Sequence, residues 1–296
     1  MKKDPNISWR HVDAASLNLQ GKKAIVVGGT GGLGRAITQL LAARGASVVV
    51  AGQTFRDAGN PTIEFVKADL SLMPEAQRVA KQLPAETADL LLFTAGIIAS
   101  PQRQESKEGL ELDMAVSYLN RLVMLREMAP RLGKDRPADA KRPRVFNMAY
   151  PGGGQIGTPE DLNAERGYKA MAQHMNTVAG NEVLVLDAVK RYPRIDSFGL
   201  NPGFVKTNIR SNLLGNKWFF GLLESLIGIF NPTPEQYAAR MVPLLVTPDI
   251  EGRSGTMFDK NGRAILPSAG LTEAHIQKFL AASEAMVART GVRVVA

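Results

Sequence analysis

Residues 23–36 read KAIVVGGTGGLGRA, and this stretch decides the fold class. Lys23–Val27 is a short apolar run, and Ala36–Arg44 has apolar residues at helical spacing, so the order is strand, tight turn and helix. The glycines between them have the spacing G-x-x-x-G-x-G, at Gly28, Gly32 and Gly34. A helix that begins in such a turn presents unpaired N–H groups and the positive end of its dipole. The pattern therefore predicts a turn that binds the phosphates of a dinucleotide.

Further short apolar runs predict more buried strands along the chain. They lie at Ser47–Ala51, Ile63–Val66, Leu90–Phe93, Val145–Met148, Ser197–Leu200 and Gly255–Phe258. Helix-length segments separate most of them, such as Gly109–Leu132 and Tyr168–Arg191. Strands that alternate with helices predict an α/β fold with a Rossmann-type, doubly wound parallel sheet and helices on both faces.

Two more helices are predicted near the end of the chain. Thr233 and Gln236 can form a capping box in front of Pro234–Leu245, and Glu273–Arg289 has helical periodicity. No internal repeat or low-complexity linker is visible, so residues 1–296 are interpreted as a single domain with an N-terminal arm at 1–20. Residues 207–231 follow the sixth strand and are rich in apolar side chains, which predicts a lid over the substrate.

Composition restricts the functional classes. Lys and Arg exceed Asp and Glu by 36 to 28, which gives a formal charge of +8, but the basic residues are scattered and we expect no nucleic-acid partner. The chain has no cysteine, which excludes disulfides, thiolate catalysis and cysteine-ligated metals. No secretory signal and no transmembrane segment is predicted, and a cytoplasmic location is expected.

The end of the second strand indicates which dinucleotide the turn prefers. A carboxylate at this place would bind the adenosine ribose of NAD and repel a 2′-phosphate. The sequence has Gly52, Gln53 and Thr54 there, while Arg35 follows the last glycine and Arg56 lies just beyond. Guanidinium groups form charge-assisted hydrogen bonds with phosphate, so the sequence predicts NADP(H) in preference to NAD(H).

Four motifs in order resemble the short-chain dehydrogenase/reductase family. They are Val27–Gly34, Asp69–Leu70, Thr94–Ala95–Gly96 and Asn201–Pro202–Gly203, and the resemblance covers about residues 20 to 260. It implies that Asp69 and Leu70 contact adenine, that Ala95 and Gly96 line the adenosine side, and that the segment from Pro202 and Gly203 through Val205 to Thr207 holds the nicotinamide carboxamide. Within the turn it implies contacts from Thr30, Gly31 and Leu33.

The catalytic residues of this family are an Asn, a Ser and a Tyr-x-x-x-Lys pair, and this sequence departs from them. Ser117 stands where the Asn is expected, and Tyr150 stands where the Ser is expected. Tyr168 opens a predicted helix, but Ala172 follows four residues later instead of a lysine. An ungapped count back from Pro202 places Ala172 and Asn176 at the two positions, and this register also lacks the lysine.

A phenol with a pKa of about 10 exchanges protons poorly at neutral pH without a nearby cation. The sequence predicts Tyr168 or Tyr150 as the proton donor, with Ser117 or Asn176 polarising the substrate oxygen. His174 is an alternative proton shuttle, although most histidines in such positions are structural. Each of these residues also has an ordinary packing interpretation.

Two functions remain open at this point. The first is an NADP(H)-dependent oxidoreductase that acts on a small apolar carbonyl, alcohol or activated alkene. The second is a redox-silent protein that binds the dinucleotide as a sensor, or an isomerase or cyclase that uses the same pocket. The family resemblance also implies a homo-oligomer.

Overall fold

The computed structural model describes residues 1–203 and 232–294. The strands of this part form one sheet in the order β3-β2-β1-β4-β5-β6-β7-β8. Their bounds are β1 Lys23–Val27, β2 Ser47–Gly52, β3 Ile63–Lys67, β4 Leu90–Phe93, β5 Arg144–Met148, β6 Asp196–Leu200, β7 Met257–Phe258 and β8 Ala264–Ile265. The helices that bear on the site are α1 Gly32–Ala43, α2 Met73–Gln82, α3 at 112–128, α4 Ala170–Arg191, α5 Pro234–Val246 and α6 Glu273–Ala288.

Strands β1 to β7 pair in parallel, which confirms the predicted sheet, but its last strand was not predicted. Strand β8 pairs with β7 in the antiparallel direction. The chain reverses in a short turn, in which the N–H of Asp259 donates to the carbonyl of Arg263 at 2.9 Å. The prediction that Gly255–Phe258 is the final strand is therefore wrong. Antiparallel strands can be joined by a tight turn, so β8 follows β7 without the helix-length segment that separates parallel strands.

Helices cover both faces of the sheet, as the alternation of side chains along its strands requires. In β1, Ile25 and Val27 pack in the core with helices α2, α3, α4 and α6. Ala24 and Val26 point to the opposite face and pack with α1 and α5. The doubly wound Rossmann-type arrangement is thereby confirmed, and it places the carboxyl ends of β1, β4 and β5 side by side.

Helices α3 and α4 approach each other closely beside the end of β4. Helix α3 contains a π-helical turn at Ala115–Leu119. Within this turn the ring of Tyr118 lies against Gly180 of α4, where a Cβ would come within 2.6 Å of the ring. The amide of Asn181 donates to the carbonyl of Ser117 at 2.8 Å. The two helices are thus joined by packing and by a hydrogen bond at the same level.

The remaining elements fit the predictions with small shifts. The capping box forms in front of α5, where Thr233 and Gln236 exchange hydrogen bonds. In the N-terminal arm, the indole N–H of Trp9 donates to the carbonyl of Gly262 at 2.6 Å, which ties the arm to the β7–β8 turn. Among residues 1–203 and 232–294, the helices are all too short or too polar to cross a bilayer. The predicted lid at 207–231 lies outside the described residues.

Candidate functional site

The glycine turn connects β1 to α1 and packs against the end of β4. Gly28 has a φ of +94°, and a Cβ on it would lie 2.6 Å from the Cα of Ala95. A Cβ on Gly34 would lie 2.5 Å from the carbonyl oxygen of Gly28. Side chains at either place would push the turn away from β4, so these two glycines are required by packing within the protein.

The opposite side of the turn faces outward and fits a pyrophosphate. Helix α1 starts after Gly31, and its first turn contains no acidic residue. The nearest atom to a Cβ built on Gly31 is an Arg56 nitrogen at 3.7 Å, so the backbone here is open to a ligand. Thr30 packs against Gly52 at the end of β2, and Leu33 packs into the core below α1. Unpaired N–H groups, an open approach and a nearby cation together suit a dinucleotide phosphate.

The two arginines predicted to bind a 2′-phosphate have different surroundings. Arg56 is exposed, as is Thr54, and its Nη1 donates to the carbonyl of Thr30 at 2.6 Å, so its charge lies beside the turn. Arg35 forms an ion pair with Asp57, with 2.7 Å between Nη2 and Oδ1. The hydrogen bond from Arg35 holds the pKa of Asp57 below its ordinary value. Arg35 is therefore partly neutralised by a carboxylate that sequence reasoning did not identify.

The predicted adenine segment lies at the end of β3. Asp69 accepts hydrogen bonds from the N–H of Ser71 at 3.1 Å and from its hydroxyl at 2.6 Å. Desolvation raises the pKa of Asp69, but the hydrogen bonds from Ser71 and Gln53 and the charge of Lys107 together outweigh it, so the pKa lies below its ordinary value. Leu70 is buried in the core beside α2. Asp69 is thus a fixed, ionised acceptor at the sheet edge.

The segment after β4 runs alongside α3, and the segment after β6 is described only at its start. A Cβ on Gly96 would have the hydroxyl of Ser117 at 3.4 Å and Nη2 of Arg121 at 3.6 Å. Gly203 has a φ of +63°, and its N–H donates to Oδ1 of Asn201 at 2.9 Å, which forms a turn after Pro202. The other predicted carboxamide contacts, Val205 and Thr207, lie outside the described residues.

The two predicted tyrosines lie at the same edge of the sheet, and within the described part of the chain neither hydroxyl is hydrogen-bonded to a cationic side chain. Helix α4 begins at Ala170 and not at Tyr168, because Lys169 has an extended backbone. The hydroxyl of Tyr168 donates to the carbonyl of Ser100 at 2.6 Å. Burial, reinforced by nearby carboxylates, raises the pKa of Tyr168 to about 12. Tyr150 is half-buried after β5, with its ring against Gly153.

The side chains of the two residues predicted to polarise the substrate oxygen, Ser117 and Asn176, are hydrogen-bonded to other groups of the protein. The hydroxyl of Ser117 accepts from the N–H of Ile97 at 2.9 Å and donates to Asp113 at 2.5 Å. Asn176 is buried, accepts from the N–H of Thr158 at 2.9 Å, and donates to Gln173 at 3.1 Å. Ser117 thus belongs to the site as a support for Asp113, while Asn176 fixes the loop before α4.

A histidine and a carboxylate meet between α3 and α4. Nδ1 of His174 lies 2.7 Å from Oδ2 of Asp113. The Asp113 side chain is fully buried, and 20% of the His174 side chain is exposed. Asp113 also accepts from the N–H of Ala99 at 3.2 Å. Ala99 belongs to the segment that follows Ala95 and Gly96. The pair therefore lies next to the predicted cofactor site.

A buried guanidinium lies beneath the same segment. Nη1 of Arg121 donates to Oδ1 of Asn147 at 2.8 Å, to the carbonyl of Met148 at 2.6 Å and to Oδ1 of Asn181 at 2.9 Å. Its Nη2 donates to the carbonyl of Ala95. Burial lowers the pKa of Arg121 to about 9, which leaves it charged at neutral pH. Arg121 joins the ends of β4 and β5 to α4 and supplies positive charge there. Sequence reasoning did not identify this residue, although a basic residue within the apolar stretch NRLVML is a signal that could have found it.

Comparisons with known proteins agree with this architecture. The model of the family described as short chain dehydrogenase matches residues 22–140. An uncharacterized oxidoreductase of Saccharomyces cerevisiae is 50% identical over 97% of this chain and 94% of its own length. Retinol dehydrogenase 11 of Mus musculus is 24% identical, over 83% of this chain and 80% of its own.

A solved structure supports the fold. The short-chain dehydrogenase/reductase from Serratia marcescens superposes with a TM-score of 0.59 at 23% identity, covering 83% of this chain and 98% of that one. Identity of 50% along nearly the whole chain, the family model and the geometry of the glycine turn all point to the same group of oxidoreductases, which use nicotinamide dinucleotides. The chain belongs to the short-chain dehydrogenase/reductase family.

Proposed function

We propose that the protein is an NADP(H)-dependent oxidoreductase that acts on a small apolar carbonyl, alcohol or activated alkene. The observation that carries this proposal is the glycine turn, whose inner side is fixed against β4 and whose outer side is open beside Arg56. Gly28, Thr30, Gly31, Gly32, Leu33 and Gly34 would hold the pyrophosphate. When bound, the nicotinamide supplies or accepts the hydride, and the protein supplies orientation and a proton.

The preference for NADP(H) rests on the charges around the turn. The end of β2 has no carboxylate among Gly52, Gln53 and Thr54, and Arg56 lies beside Thr30. Asp57 is directed toward Arg35 by their ion pair. The two guanidinium groups and one carboxylate leave a net positive charge, which favours a 2′-phosphate.

The substrate class rests on composition and on relatives. Residues 207–231 follow β6, where ligands of such sheets bind, and this stretch contains several large apolar side chains. Similar proteins include retinol dehydrogenases, whose named substrate is an apolar alcohol. We therefore propose an apolar carbonyl or alcohol. A cytoplasmic homo-oligomer also stays a proposal, and light scattering of the purified protein tests its assembly state.

One observation favours the redox-silent alternative. The Tyr168 hydroxyl is bonded to a carbonyl, its pKa lies near 12, and residue 172, one helical turn along, is an alanine. A tyrosine in this setting is a poor proton donor at neutral pH. If no other residue carries the proton, the protein would bind the dinucleotide without oxidising or reducing anything.

The test begins with nucleotide binding and continues with turnover. Fluorescence titration should show NADPH binding more tightly than NADH. Absorbance at the NADPH band is then followed during a screen of apolar ketones, aldehydes and enones, with small polar carbonyls as the matched control. Turnover confined to apolar substrates supports the proposal. Binding of NADPH without oxidation by any substrate supports the redox-silent alternative, and binding of neither nucleotide contradicts both.

A further inference from the structure

We propose that His174, oriented by Asp113, is the catalytic acid and base of this protein, in place of a tyrosine. This inference rests on the proposed oxidoreductase function. It concerns a residue pair that the packing of two helices, α3 and α4, brings together. In the region that the structure describes, the predicted proton donor Tyr168 has no carboxylate to orient it and is hydrogen-bonded to a backbone carbonyl instead.

The Asp113 carboxylate is held rigidly. It is fully buried, and it accepts one hydrogen bond from the hydroxyl of Ser117 at 2.5 Å and another from the N–H of Ala99 at 3.2 Å. The first donor lies on α3, and the second belongs to the segment after β4. A carboxylate with these fixed donors can orient an imidazole, because its position does not depend on solvent.

The imidazole of His174 is oriented in turn. Its Nδ1 lies 2.7 Å from Oδ2 of Asp113. An ionised carboxylate only accepts hydrogen bonds, so the proton of this bond belongs to Nδ1. The other ring nitrogen, Nε2, is then the one that exchanges a proton with a ligand. The side chain is 20% exposed, so the residue is partly open to solvent.

The location of the pair fits its role. Asp113 contacts Ala99, three residues after Gly96, and Ser117 contacts both Asp113 and Ile97. The pair therefore lies beside the segment after β4, which carries the predicted cofactor contacts Ala95 and Gly96. Tyr168 is nearby but donates its hydroxyl proton to the carbonyl of Ser100. An imidazole is also a better acid and base at neutral pH than a phenol.

The proton moves between Nε2 of His174 and the substrate oxygen. In the reductive direction, bound NADPH would supply the hydride to the carbonyl carbon and be oxidised to NADP⁺, while the Nε2–H bond of the His174 imidazolium breaks and an O–H bond forms on the carbonyl oxygen. Asp113 retains its hydrogen bond to Nδ1 throughout. The neutral imidazole then takes a proton from water. In the oxidative direction neutral Nε2 accepts the alcohol proton as the hydride leaves.

The kinetic experiment compares His174→Gln, His174→Ala and Asp113→Asn with wild type. His275→Gln is the matched control, because within residues 1–203 and 232–294 its ring is hydrogen-bonded to the carbonyl of Ile156 and not to a carboxylate. We expect kcat to fall about 100-fold or more in His174→Gln, within the range for general acid–base catalysis, with the Kd for NADPH changed less than twofold. Added imidazole should restore part of the lost kcat in His174→Ala, and it should have no effect on His275→Gln.

A spectroscopic experiment reads the pair without turnover. The chain has three histidines, so the ring nitrogens are assignable by proton–nitrogen NMR of the full protein. We expect a downfield, solvent-protected Nδ1–H resonance that disappears in both His174→Gln and Asp113→Asn and remains in His275→Gln. Its presence with the kinetic losses supports the proposal.

The outcomes separate this inference from the proposed function. If wild type turns over while His174→Gln keeps kcat within threefold, or if Tyr168→Phe or Tyr150→Phe loses kcat and His174→Gln does not, the function stands and the assignment of His174 is wrong. If wild type binds NADPH but none of the tested substrates oxidises it, the proposed function fails. The assignment of His174 then fails with it.

Discussion

On the proposed NADP(H) preference, we expect two charged residues to act on discrimination between NADPH and NADH in opposite directions, and each is removed separately. Arg56→Gln deletes the exposed guanidinium beside the Thr30 carbonyl. Asp57→Asn deletes the carboxylate that pairs with Arg35. We expect the first variant to weaken NADPH binding and the second to tighten it. Neither variant should change NADH binding by more than about twofold, because NADH lacks the 2′-phosphate.

The magnitudes follow from exposure and charge. A hydrogen bond to a charged group contributes about 1.5–3 kcal/mol, and the exposure of Arg56 places it at the lower end, or about tenfold in the Kd for NADPH. Removing one like charge near the phosphate in a largely aqueous setting contributes about 0.5–1 kcal/mol, or about twofold to fivefold tighter binding. Asp57→Asn also releases Arg35 from its ion pair, which acts in the same direction.

Fluorescence titration of each variant with both nucleotides measures these effects, at low and high salt because exposed charges are screened. Arg56→Lys is the control, since it keeps the charge. An equal loss of NADPH and NADH affinity in Arg56→Gln would show that Arg56 acts on the shape of the turn through Thr30 and not on the phosphate. Weaker NADPH binding in Asp57→Asn would refute the charge argument directly.

Three other predictions follow from the geometry. Gly34→Ala should weaken binding of both nucleotides more than tenfold by titration, since its methyl would meet the Gly28 carbonyl at 2.5 Å; unchanged affinity would contradict the packing argument. Arg126 and Asp187 form a buried ion pair, with 2.6 Å between Nη1 and Oδ2, so Arg126→Met should lower the free energy of unfolding in urea by about 3 kcal/mol, because Asp187 would stay buried with Arg191 as its remaining ion-pair partner among the described residues. Lys190→Met removes one side of the exposed ion pair with Glu273 and should cost less than about 1 kcal/mol; equal losses would refute this. The pKa of Asp57 is lowered in the folded state, so its contribution to stability is present above its ordinary pKa of about 3.9 and is lost as the pH falls through the lower folded value. The difference in unfolding free energy between wild type and Asp57→Asn should therefore be constant from about pH 7 to 5 and shrink below about pH 4, and a pH-independent difference would contradict it.

Local patterns in the sequence were sufficient for the sheet and the turn. Strands β1 and β4 have the bounds that apolar periodicity predicts, and the capping box at Thr233 forms as its spacing indicates. Each of these features depends on residues within a few positions of one another. Strand β8 was not predicted, because a strand of two residues shows no periodicity. Helix α4 starts two residues later than predicted, because the residue before it, Lys169, has an extended backbone.

The acid–base pair and the buried charges could not be predicted in the same way. Asp113 and His174 are 61 residues apart, and only the packing of α3 on α4 brings them together. Arg35 has its partner Asp57 22 residues away, so the sequence suggests a free cation where the structure has an ion pair. Periodicity shows which face of a helix is buried but not which polar group it will meet there.

The ring of Tyr118 packs directly on Gly180, and this contact sets the spacing of helices α3 and α4. The same helices carry Asp113 and His174, so the contact also affects the distance between these two side chains. Hydrogen bonds weaken steeply over a few tenths of an ångström beyond their preferred length. Adding a single methyl at Gly180 would meet the ring at 2.6 Å and force α3 and α4 apart. Gly180→Ala is thus expected to lengthen the distance between Asp113 and His174, so that a core position outside the pair controls the hydrogen bond within it.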